Sequence, residues 1–111
     1  MKVYDLKDDS GRTFAFEVGN FFLTRNGAVD IVLTIRGVKL RKAPSRFSGE
    51  EEFCAFEVEG QHFTICEPFS DNSRYWVGPT PASWCQQVAT VRDAFERYRT
   101  FSLAHFLGYF G

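Results

Sequence analysis

The residues of this chain best suited to nucleophilic or metal chemistry are Cys54, Cys66, Cys85, His62 and His105, and their spacing decides what they can do. His62 precedes Cys66 by four residues in a run that reads as a strand, so the even spacing puts both on one face. Four residues of strand span about 13 Å, beyond the reach of a thiol–imidazole hydrogen bond. His105 falls in an apolar C-terminal stretch, far from every cysteine in sequence. The thiols therefore read as small, half-buried side chains, and a Cys-dependent enzyme ranks third among the functions considered. A structural metal needs three or four converging ligands, and the scattered cysteines and histidines offer no such spacing. Neither GxGxxG, GxxxxGK[ST] nor GxSxG occurs. No catalytic residue, metal or cofactor is assigned, and the balance leans away from an enzyme.

Glu57 is expected opposite His62 across a hairpin, where it would form an ordinary surface cross-strand pair. Two other segments carry more information. From Arg36 to Arg46 the chain holds Arg36, Lys39, Arg41, Lys42 and Arg46 with no acid among them. Such a run could meet phosphate, acidic lipid or an acidic partner, but it also suits an edge strand kept basic against edge-to-edge pairing. Glu50, Glu51 and Glu52 follow and would offset it. The second segment runs from Glu67 through Asp71, Asn72 and Arg74 to Trp76. Turn chemistry accounts for Pro68, Asp71 and Asn72. It does not account for Trp76, which alternates with Tyr75 and Val77. With Tyr75 and Val77 facing inward, Arg74 and Trp76 face outward beside Glu67, and an exposed Trp next to an Arg has the composition of a recognition hot spot.

The elements that must hold these groups follow from periodicity. Tyr4 to Leu6 makes a short strand. After a turn at Asp8–Gly11, Phe14, Phe16 and Val18 alternate with polar or small residues. Asn26-Gly27 is a strong hairpin signal, because both residues accept positive φ. It predicts that Phe21–Leu23 pairs with a strand carrying Val29, Ile31, Leu33 and Ile35, with Arg25 opposite Ala28 and Phe22 opposite Ile31. A second hairpin around Glu59-Gly60 pairs Phe56 with Phe63, Cys54 with Ile65 and Glu57 with His62. That register puts Cys54, Phe56, Val58, Phe63 and Ile65 on one face. Arg74–Val77 returns as a further strand. Thr80 as cap and Pro81 at the first helical position predict a helix from about residue 80, with Trp84, Val88, Val91, Phe95 and Tyr98 as its stripe.

The fold expected is α+β: one antiparallel, strongly curved sheet of six or seven short strands, arranged as a meander or hairpins, with one C-terminal helix packed on it. The same order also suits a barrel of the pleckstrin-homology type with a capping helix. The 111 residues are read as one domain, residues 1–111. The predicted core is Phe14, Phe16, Val18, Ile31, Leu33, Ile35, Phe56, Phe63, Ile65, Val77, Trp84, Val88, Val91 and Phe95.

Net charge is −1, so no general basic field marks a nucleic-acid binder. No window is apolar enough for a membrane span or a signal peptide. The expectation is a soluble, cytoplasmic protein, consistent with an odd number of cysteines. The function expected first is a non-catalytic protein-interaction module. The second is a small-ligand or lipid-head-group binder with a Phe-lined pocket inside the sheet. The tail beyond Thr100 carries Phe101, Leu103, Phe106, Leu107, Tyr109 and Phe110. It is expected to join two copies as a homodimer, with folding back over its own sheet as the other choice.

Overall fold

A computed structural model describes residues 1–44, 51–68 and 73–98. The described residues fold as one antiparallel sheet of six strands with two helices, an α+β arrangement. The strands are β1 (Tyr4–Lys7), β2 (Thr13–Gly19), β3 (Lys39–Lys42), β4 (Glu52–Val58), β5 (Gln61–Cys66) and β6 (Arg74–Pro79). Their spatial order is β1-β2-β6-β5-β4-β3. The last strand therefore lies between the two hairpins and joins them. The sheet is open at β1 and β3 and does not close into a barrel.

The second hairpin has the register the apolar pattern demands. Phe56 pairs with Phe63, Cys54 with Ile65 and Glu57 with His62. Glu59 and Gly60 form its tip with φ of 51° and 78°, the positive-φ pair of a tight hairpin turn. Cys54, Phe56, Val58, Phe63 and Ile65 are all buried. A register shift between Glu52 and Cys54 lets Phe53 turn inward as well.

The first predicted hairpin does not form. Residues Arg25–Leu33 are helix α1, so neither the Arg25–Ala28 nor the Phe22–Ile31 pairing exists. The reason lies in Thr24. Its Oγ1 accepts the Gly27 N–H at 2.9 Å and caps the helix, which places Asn26-Gly27 in a first helical turn. Ala28, Ile31, Val32 and Ile35 then fall at spacings of 3, 1 and 3 and are buried together with Val29. Ile31 and Ile35 satisfy both a two-residue and a helical period; Leu33 satisfies only the former, and it is 53% exposed. At the C-terminal end Thr34 N–H and Oγ1 both donate to the Ile31 carbonyl. Gly37, at φ 76°, turns the chain into β3.

Helix α2 spans Gln87–Arg97, not residues 80 onward. Thr80 N–H donates to the His62 carbonyl at 2.9 Å and so continues the β5–β6 pairing. The Thr80–Pro81 bond is cis. Trp84 precedes the helix and stands 43% exposed, while Val88, Val91 and Phe95 form the buried stripe. Phe14 is half-buried, in a cleft with Arg12 and Trp84.

Both helices cover one face of the sheet. The core phenylalanines pack against one another there: Phe56 stacks on Phe63 with ring centroids 5.4 Å apart, and Phe95 of α2 meets Phe16 edge-on at 5.4 Å. Tyr75 meets Phe53 edge-on and donates its hydroxyl hydrogen to the Leu23 carbonyl at 2.7 Å, tying the approach to α1 onto β6. No described helix is long and apolar enough to cross a membrane.

Candidate functional site on the open sheet face

Antiparallel register sorts β6 cleanly. Tyr75 and Val77 are buried under the helices, so Arg74, Trp76 and Gly78 belong to the opposite face. On that face the pairings Tyr4–Glu17, Glu17–Trp76, Trp76–Cys66 and Cys66–Glu52 run in one row from β1 to β4. The next row contains Leu6 opposite Ala15, and Gly78 opposite Thr64, which pairs with Ala55. Aside from the edge leucine, this second row is built of small side chains.

Trp76 depends on those small residues. A Cβ at Gly78 would stand 2.6 Å from the Trp76 Cη2 atom, 2.8 Å from its Cζ2 and 2.8 Å from the Ala15 Cβ. The indole is therefore folded along its own strand, over the bare backbone of Gly78 and against Ala15. It is half-buried by these neighbours and keeps an open surface. Arg74 lies beside it: its guanidinium carbon is 3.7 Å from the Tyr4 ring centroid, and its Nη1 is 3.4 Å from Glu17 Oε1. Stacking and an ion pair together hold the planar group against the sheet.

Elsewhere on the face, Glu57 gathers a charged cluster. Arg41 Nη2 sits 2.6 Å and His62 Nε2 3.0 Å from the two oxygens of Glu57. The Arg41 guanidinium holds the Glu57 carboxyl below its usual range. Arg41, one of the residues of the predicted basic patch, is thus ion-paired and still exposed. Arg36 and Lys39 are exposed, Lys42 is half-buried, and Arg46 lies outside the described residues. Lys39, Arg41 and Lys42 stand on β3, an edge of the sheet.

Of the predicted recognition segment, Arg74 and Trp76 do share the outer face. Glu67 does not join them. It follows β5 with the opposite orientation and accepts Asn20 Nδ2 at 2.6 Å and Arg25 Nη2 at 2.8 Å. Arg25 in turn lies 4.8 Å over the Phe53 ring. Glu67 thus fastens the start of α1 to β5. Asp71 and Asn72 lie outside the described residues, as do His105 and the whole apolar tail. Tyr4, Ala15, Glu17 and Gly78 were missed as site residues. The Trp-x-Gly spacing in 76–78 was a usable signal, because residues two apart on a strand share a face; Tyr4 and Glu17 needed the strand order.

The thiols are not poised for attack. Cys54, Cys66 and Cys85 are all free. Burial pushes Cys54 up to about 12 and also raises Cys66 and Cys85, which keeps the weakly nucleophilic thiol form at neutral pH. Among the described residues no group of three or more His, Cys, Asp or Glu could hold a metal ion. What the open face offers is shape and stacking: an aromatic plane, a guanidinium plane and a shelf of small residues, rimmed by ion pairs.

No protein-family model matches the chain, and neither a curated protein nor a solved structure matches it.

Proposed function

We propose that this chain is a non-catalytic protein-interaction module whose recognition surface is the open sheet face centred on Trp76. The observation that carries the reading is the seat of that indole. It lies across Gly78 and Ala15 on the face the helices leave bare, next to a guanidinium already stacked and paired. Tryptophan and arginine are the residues most enriched among energetic anchors of protein interfaces. An anchor held in place before binding loses little side-chain entropy when a partner arrives. The polar rim of Glu17, Glu57, His62 and Arg41 matches the usual division of an interface into aromatic centre and charged border.

Site-directed photocrosslinking in the native cell tests this. A photoreactive residue at Thr64, beside Gly78 on the same face, is expected to capture a defined partner. The same group at Asp30, exposed on α1, is expected to leave that partner uncaptured. Trp76→Ala should abolish the Thr64 adduct. Equal capture from both positions, or a Thr64 adduct indifferent to Trp76→Ala, would remove the reading.

A further inference from the structure

Phe21 and Phe22 are the most exposed large apolar residues described, at 87% and 73%, and their rings meet edge-on at 4.6 Å. They wall a cleft of about 210 Å³ together with Met1, Lys2, Tyr4 and Gly19. This is below the roughly 300–1,000 Å³ of small-molecule sites and closer to the size of one or two side chains. A contiguous aromatic platform of this kind calls for a cover.

The end of α2 indicates which. The Met1 ammonium donates to the carbonyls of Glu96 at 2.9 Å and Tyr98 at 2.8 Å. Met1 is therefore at once a wall of the cleft and the clasp on the helix terminus, so Tyr98 is one hydrogen bond away from a cleft-lining residue. Thirteen residues follow, 99–111, and they include Leu103, Phe106, Leu107 and Phe110 at spacings of 3, 1 and 3. At about 3.3 Å per extended residue, thirteen residues span up to about 40 Å. A tether this short also gives the chain's own tail an effective concentration of about millimolar, which a separate copy does not have.

We infer that the apolar stretch 101–110 of the same chain docks on the Phe21–Phe22 platform, as an intramolecular cover. The bonds from Met1 to Glu96 and Tyr98 bring the end of α2 to one wall of the cleft, which favours this over the two-fold contact between copies that the tail's composition alone suggests. The cleft shares Tyr4 with the Trp76 face, but the inference does not rest on the role proposed for Trp76.

The test uses the full chain carrying Phe22→p-benzoylphenylalanine, prepared as an equal mixture of 14N- and 15N-labelled protein. Irradiation is expected to join position 22 to a peptide within 101–110, with both halves of each adduct carrying the same isotope. Adducts of mixed isotope would show a second copy as the occupant and overturn the inference. So would the absence of any adduct to 99–111. Hydrogen exchange gives a second reading. Phe21→Ser with Phe22→Ser should speed exchange of the 101–110 amides about tenfold or more while leaving the β5 and β6 amides unchanged. Tail amides that exchange equally fast in both proteins would contradict it.

Discussion

Gly78 and Cys54 show how single residues set the properties of the two sheet faces. Gly78 is small because Trp76 occupies the space above it; any Cβ there must push the indole or Ala15 aside. Gly78→Ala should cost about 1–3 kcal/mol in stability, the range for overpacking a filled site. In a Trp84→Phe background, it should also leave Trp76 more open to acrylamide quenching. Unchanged quenching would mean that the indole does not rest on Gly78. Cys54 reports on the buried face. Burial favours its neutral form and moves its pKa from 9.0 up to about 12. A group that holds its proton more tightly when folded contributes fully below its unfolded pKa and loses that contribution as pH rises toward the folded one. Stability should therefore fall between pH 9 and about 12. Cys54→Ala, though less stable at pH 7, should show a shallower fall in thermal midpoint over that range. Tyr75, also raised to about 12 by burial, adds to the fall in both proteins, so parallel curves for the two would show that Cys54 does not contribute.

Elements were legible where one periodicity fitted and illegible where two did. The Glu59-Gly60 hairpin was unambiguous, because only one register puts five apolar side chains on one face, and that register is observed. Residues 25–35 fitted two periods. Ile31 and Ile35 serve both, Asn26-Gly27 argued for a hairpin, and the β-branched residues argued for strand. The deciding residue was Thr24, a cap overlooked in favour of the turn pair after it, and burial of the helical stripe then outweighs modest helix propensity. Thr24→Ala should accordingly cost about 1 kcal/mol by chemical denaturation, with Thr24→Ser close to wild type. Equal loss in both variants would mean that the hydroxyl is not capping. The start of α2 failed for a different reason: Thr80 has the residue type of a cap, but its N–H belongs to the sheet. For the candidate site, local alternation was enough to turn Trp76 outward. It could not supply Tyr4 and Glu17, which the order β1-β2-β6 brings alongside.

At the scale of the whole molecule, one face of the sheet carries the core and the other is the face proposed for recognition. The helices and the buried phenylalanines occupy the first, so damage there should be large and should not be specific to binding. Phe95→Ala, which removes the ring packed on Phe16, should cost about 3–5 kcal/mol. A shift below 1 kcal/mol would mean that α2 is not part of the core. Substitutions on the second face should do the reverse, changing recognition more than stability. Trp76 makes this division measurable. The decisive experiment is titration of the purified wild type and Trp76→Ala proteins against the partner captured at Thr64, with thermal midpoints recorded in parallel. The account predicts a loss of affinity of about thirtyfold, as expected for an anchor worth about 2 kcal/mol, with the midpoint lowered only modestly. An affinity unchanged by Trp76→Ala in a folded protein would contradict it.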